Sequence, residues 1–220
     1  MLRQILIDAL SRSRSVAETV TKRSLLNVGG GSKVIPIPQH YDGWGHFLLD
    51  IDARGEPDIV CDARNLHSLP AAQFDAVYCS HNLEHYYRHD GFSVLRGFRH
   101  VLKPDGFAEI RVPDLISVMK RVLVSNMDLE DALYQSAAGV ISALDVIYGY
   151  ASEIEKSGQD FYAHKTGFSP ASLRHTLELA GFPAVYISEN PEVFEVHALA
   201  FNSPPAAWQR DMFGIPDSAR

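Results

Sequence analysis

The segment Asn27-Val28-Gly29-Gly30-Gly31-Ser32 follows a short apolar run and brings three glycines together. Glycines at such a strand exit let a ligand approach the backbone closely and permit positive φ. The amides that they expose can hold a carboxylate or a phosphate. Asp50 closes the next apolar run, 21 residues after Gly29. An acid at that distance can accept hydrogen bonds from ribose hydroxyls, so the pair points to a nucleoside-containing cofactor. A dinucleotide fits poorly: the fingerprint G-x-G-x-x-G/A wants a small residue where Val34 stands. Pro36 and Pro38 also interrupt the helix that would receive a pyrophosphate. S-adenosylmethionine, an amino acid at one end and a sulfonium at its centre, has no phosphate to place there.

These residues need a sheet to hold them. Leu25–Val28, Phe47–Ile51, Asp58–Cys61 and Phe74–Cys79 are short apolar runs between turn residues, as in parallel strands buried on both faces. A helix is predicted from Gly91 to Leu102, with Asp90 as its cap. The turn Lys103-Pro104-Asp105-Gly106 then leads into a strand over Phe107–Val112. Residues 113–166 break the rhythm. Leu129, Leu133, Ala137, Val140, Ile141, Leu144 and Ile147 recur at three- and four-residue steps and predict one or two inserted helices. Ser169, Pro170 and Gly181 bracket a further helix, and strands follow at Ala184–Ser188 and Val193–Phe201. Residues 1–23 read as an amphipathic packing helix and the proline-bearing tail from Ser203 as extended. The expectation is a single α/β domain: a doubly wound, mostly parallel, Rossmann-like sheet of seven strands, with a helical insertion. Its parts are 1–23, the cofactor-binding half 24–112, the insertion 113–166, the closing helix and strands 167–202, and the tail 203–220.

Composition narrows the function. The 220 residues are 46% hydrophobic and carry a net charge of −7. That is an ordinary folded chain with an acidic balance, against a dedicated nucleic-acid binder. No apolar run approaches the roughly 20 residues of a membrane span. Cys61 and Cys79 are the only cysteines, which suits a reducing, cytoplasmic setting.

With these motifs in order, the chain resembles the class I S-adenosylmethionine-dependent methyltransferases of the small type 11 family. The resemblance runs over roughly Leu25–Val112 and resumes over His164–Phe201. It rests on Leu26–Ser32, on Leu49-Asp50-Ile51-Asp52, on Cys61-Asp62-Ala63, on Phe74–His85 with its closing Leu83-Glu84-His85, and on Leu102–Phe107. It departs from the family at Asn27, where an acid is usual, and at Lys33, where a third glycine is common. The resemblance implies S-adenosylmethionine as cofactor and methyl transfer to an oxygen or nitrogen of a small-molecule acceptor. It assigns Asn27, Gly29, Gly30, Gly31 and Ser32 to the amino-acid tail, Asp50 and Ile51 to the nucleoside, Asp62 and Ala63 to the adenine, and Ser80 to the same pocket. In the family's strand order Cys61 and Cys79 would be too far apart to bond.

His81 would emerge at the carboxyl edge of the sheet, and His164 precedes the Ser169 cap on a loop, so both are candidate bases or acceptor anchors. His81-Asn82-Leu83-Glu84-His85 also spells H-x-x-E-H, but the zinc pattern needs a helix and this segment starts at a strand's end. Some related O-methyltransferases bind a divalent ion near this position, for which Glu84 and His85 would be the candidates. The plainer reading packs both locally, and no metal is assigned. Residues 113–166, with Tyr148, Tyr150 and Tyr162, are expected to form a lid over the acceptor, or else a homodimer interface. The rival functions are a non-catalytic cofactor-binding partner subunit and an NAD(P)-linked oxidoreductase.

Overall fold

Along Ser24–Val28 the side chains of Leu26 and Val28 enter one core and Leu25 enters another, the alternation of a strand covered on both faces. The computed structural model describes residues 22–136 and 139–217, and the helix expected over 1–23 falls almost wholly outside them. The strands are β1 (Ser24–Val28), β2 (Gly45–Asp50), β3 (Ile59–Val60), β4 (Phe74–Ser80), β5 (Leu102–Pro113), β6 (Ala132–Ser136), β7 (Gly139–Ser142), β8 (Ala184–Asn190) and β9 (Glu195–Phe201). Seven of them form one sheet in the order β3-β2-β1-β4-β5-β9-β8, parallel except for β9, which runs antiparallel to both neighbours. This is the doubly wound sheet expected. The order reverses at β1, between β2 and β4. Cys61 and Cys79 are both buried and free.

The helices are α1 (Arg88–Val101), α2 (Leu115–Val124), α3 (Ala143–Tyr148), α4 (Ala151–Ser157), α5 (Pro170–Leu179) and α6 (Ala207–Phe213). The apolar face of α1 (Val94, Leu95, Phe98, Val101) and that of α5 (Leu173, Leu177) are fully buried in the larger core. Burying each such side chain is worth about 1.5–3 kcal/mol. The other sheet face is covered by Tyr41, Trp44 and α6, with no long helix between β1 and β2. Pro36 and Pro38 stand in that connection, where proline breaks a helix.

Four expectations are corrected. First, α1 starts at Arg88, so Asp90 lies in its first turn and is not the cap; it stands 3.5 Å from Arg64. Second, β5 takes in Lys103–Gly106, which was expected as a separate turn. Third, the insertion is not purely helical. Leu133 and Ile141 are buried while Tyr134 and Val140 are exposed, a period-two pattern, and β6 and β7 pair as a hairpin. Short apolar runs fit either period until packing chooses. Ala137, placed on the same stripe, lies outside the described residues. Fourth, the tail is not extended throughout: α6 forms, the Gln209 side chain accepts from the Ala206 amide at 2.7 Å, and Gly214 ends the helix at φ +63°.

Candidate active site

The segments at the carboxyl ends of β1, β2, β3 and β4, with part of the insertion, line a cleft of about 720 Å³. Its position at the reversal of strand order is where open α/β sheets bind ligands. Gly29 and Gly31 line it, at φ +70° and +67°, a region that favours glycine. A methyl on Gly29 would lie 2.1 Å from the Asn82 side chain. A methyl on Gly55, in the turn after β2, would meet the Gly31 carbonyl oxygen at 1.7 Å. Two glycine turns therefore pack backbone on backbone at the cleft wall.

The acids stand at successive strand ends. Asp50 is buried, accepting from the Gly31 amide at 2.9 Å and from the Asp52 amide at 2.9 Å. It braces the glycine turn while facing the cleft. Ile51 beside it is 46% exposed and offers the cleft an apolar surface. Asp62 caps a short 3-10 turn, and the Arg64 side chain donates to both its oxygens, at 3.1 and 2.9 Å from Nε. Burial opposes its ionisation, but Arg64 outweighs that and holds the Asp62 carboxyl below its usual value. Asp52 is gripped likewise by Arg54, whose Nη2 also donates to the Tyr162 hydroxyl at 2.9 Å, while that hydroxyl donates to Asp52 at 3.1 Å. Tyr162 belongs to the insertion. With Glu153, Asp160, Phe161 and Lys165 it forms the outer wall of the cleft.

A second hollow of about 280 Å³ adjoins the cleft and shares His81, His85, Glu153 and Tyr162 with it. His81 takes a left-handed φ of +49° just after β4. Its Nε2 lies 3.2 Å from Glu195 and its Nδ1 3.6 Å from Glu84. Burial opposes its charge, but the two carboxylates prevail and push the imidazole up to about 10. The two carboxylates beside it favour the protonated ring. His164 is the reverse case. Burial keeps its imidazole below the ordinary value, and its Nδ1 lies 2.8 Å from the Val146 carbonyl. Glu84 is buried in the turn Leu83–His85. The amides of Lys165 and Thr166 donate to its backbone carbonyl at 2.8 and 3.1 Å, which lays the His164 loop on that turn.

The cleft thus brings together Gly29, Gly31, Asp50, Ile51, Asp62 and His81 from the sequence expectations. Asn27, Gly30 and Ser80 line a neighbouring recess of about 310 Å³ behind the glycine turn. Ser32 and Ala63 line none of these hollows, Ala63 being buried in the core, and His164 lines the second hollow alone. Lys33 pairs with Asp58 at 2.6 Å, away from the cleft. Sequence reasoning missed Arg54, Gly55, Arg64, Tyr86 and Glu195. Only pairing across the fold gives them meaning, although Gly55 and the i,i+2 Asp–Arg repeats at 52–54 and 62–64 were readable signals.

Residues 44–110 match the model of the family described as Methyltransferase domain. Among solved structures the chain is similar to an S-adenosylmethionine-dependent methyltransferase from Archaeoglobus fulgidus, with 18% identity, TM-score 0.51, and 90% of this chain and 94% of that one covered. It is also similar to the CMeT domain of the citrinin polyketide synthase, with 14% identity and TM-score 0.54, covering 92% and 53%. A third is PigF with SAH, at 13% identity and TM-score 0.50, covering 89% and 54%. The chain spans about half the length of these last two. No curated protein matches it.

Proposed function

We propose, on the premise that this chain is a class I S-adenosylmethionine-dependent methyltransferase of the type 11 family, that it methylates an oxygen or nitrogen of a small acceptor bound beneath residues 113–166. The observation that carries the acceptor reading is the join between the two hollows, where His81, His85 and Tyr162 face both. A cofactor in the larger cleft would then meet an acceptor in the smaller one across a single wall.

The residues fit the cofactor. Asp50 keeps lone pairs for ribose hydroxyls after bracing the Gly31 amide, and Ile51 offers the nucleoside an apolar face. The absence of a long helix after β1 matches a ligand without phosphates. When bound, S-adenosylmethionine supplies a methyl group on a cationic sulfur, and S-adenosylhomocysteine is left after transfer. The chain's own share is positioning, and orientation of this kind can contribute roughly 7–11 kcal/mol. Asp50, Asp52, Asp62, Asp90, Glu153 and Asp160 make the cleft predominantly acidic against Arg54, Arg64 and Lys165, which favours a cation. His81, held between two acids, serves as a donor and anchor. His164 turns the nitrogen not bound to Val146 toward the acceptor side and offers a lone pair there. The contacts of Tyr162 with Asp52 and Arg54 support the lid reading of 113–166.

The test is a thermal-shift and calorimetric titration, followed by a metabolite screen with isotopically labelled methyl donor. S-adenosylhomocysteine should raise the melting temperature and NAD(P)H should not. The reading is abandoned if S-adenosylhomocysteine fails to bind.

A further inference from the structure

We propose that Glu84, His85 and His164 form a site for one divalent transition-metal ion of the zinc class, at the wall between the two hollows. The inference rests on the acceptor reading above for its purpose, not for its geometry.

One side-chain oxygen of Glu84 and one ring nitrogen from each histidine lie within 4.8 Å of one another, and the two rings meet edge to face with centroids 4.8 Å apart. Small ring rotations would close that separation to the about 3.3 Å expected between ligands of a tetrahedral ion. The Glu84 carboxylate is 1% exposed, and neither of its oxygens has a hydrogen-bond partner among the described residues. Buried carboxylates are ordinarily paired, hydrogen-bonded or bound to a metal. The nearest cation, His81, stands at 3.6 Å, an ion pair without a hydrogen bond.

The histidines are held as ligands are held. His85 Nδ1 lies 3.3 Å from the Ala163 carbonyl and His164 Nδ1 2.8 Å from the Val146 carbonyl. Each Nδ1 faces a backbone carbonyl, which can only accept, and Nε2 is left as the nitrogen available to a ligand. Such outer contacts fix the tautomer and orientation of metal-bound imidazoles. Two imidazoles with one carboxylate favour zinc, manganese or iron over magnesium or calcium, which prefer all-oxygen shells. Three protein ligands leave a position open, and His85 and His164 both line the acceptor hollow. A hydroxyl of the acceptor held in that position would lose its proton to solvent nearer neutral pH. This selects hydroxyl acceptors over amines.

The test is titration of chelator-treated full-length protein with Co²⁺ and with Zn²⁺, followed by visible absorption and calorimetry. S-adenosylhomocysteine affinity is measured on the same samples. One saturable equivalent is expected, displaced by Zn²⁺ but not by an equal concentration of Mg²⁺. Glu84→Gln and His164→Ala should each weaken binding by at least about a hundredfold. If Glu84→Gln does not fold, His164→Ala decides alone. The proposal is overturned if binding is not saturable, if His164→Ala binds Co²⁺ like the parent, or if Mg²⁺ displaces Co²⁺. Absent metal binding with intact S-adenosylhomocysteine binding sinks this proposal and spares the methyltransferase reading. Absent S-adenosylhomocysteine binding sinks that reading, and the metal titration is then judged by itself.

Discussion

Asp50 has two tasks at one carboxylate: it accepts from the Gly31 and Asp52 amides, and it faces the cleft where ribose would lie. Asp50→Ala should weaken S-adenosylhomocysteine binding by about 1–3 kcal/mol, the usual cost of losing a charged acceptor. Asp50→Asn keeps an acceptor for the Gly31 amide and should lose less. Calorimetry that finds the two variants equal would show the brace to be unimportant relative to the ribose contact. Gly55 makes a sharper case. A methyl there meets the Gly31 backbone oxygen, whereas one on Gly30 meets the Asn27 side chain at 2.3 Å. A side chain can rotate away and a backbone carbonyl cannot without moving the turn. Gly55→Ala should therefore lose more cofactor affinity than Gly30→Ala, and the reverse ranking in a binding titration would show that the 53–55 turn yields instead.

The elements differ in how far they could be read in advance. The strand ends that carry Gly29, Asp50, Asp62 and His81 were legible because each follows a short apolar run, although Val60 of the edge strand β3 is exposed, and parallel order fixes which ends converge. The insertion was not. Its hairpin depends on Leu133 and Ile141 meeting Val118, Ala143, Val146 and Phe194 in a separate small core, a choice made by packing and not by local pattern. The tail helix is a similar case, since Trp208, Met212 and Phe213 gain their burial only against the sheet face around Phe107. At the cleft rim, Tyr162 is the one insertion residue hydrogen-bonded to Asp52 and Arg54 among the described contacts. If it latches a lid, Tyr162→Phe should speed S-adenosylhomocysteine release by about two- to tenfold, the worth of one ordinary hydrogen bond. Stopped-flow release at the parent rate would argue against a latch. The cap at Asp114, buried and accepting from the Ile116 amide at 3.0 Å, sets the start of the insertion. Asp114→Ala should cost about 1–2 kcal/mol in urea unfolding.

Across the whole molecule, one buried carboxylate ties distant parts of the chain to an interior strand of the sheet. Glu109, fully buried in β5, accepts from His40 Nε2 and from the Tyr41 hydroxyl, each at 2.8 Å, and from Arg111 Nη2 at 3.1 Å. His197 Nε2 of β9 stands 3.1 Å away, and Arg111 in turn approaches Glu195, the partner of His81. Burial would raise the Glu109 carboxyl, but His197, His40 and Tyr41 outweigh it and hold the group far below the usual carboxylate range. A carboxyl whose folded value is depressed binds its proton more readily in the unfolded chain. Its contribution to stability is thus complete above the unfolded value of about 4.3 and is lost as pH falls below that. Glu109→Gln would leave Arg111 and two imidazoles facing a neutral amide, and removing one partner of a buried pair costs about 3 kcal/mol. Urea unfolding should show that difference at pH 6.5 and a clearly smaller one at pH 3.5, where the unfolded parent has taken up the proton that the folded parent still excludes. A difference that stays constant between the two pH values would mean that packing around residue 109, and not its charge, joins the β1–β2 connection to β5 and β9.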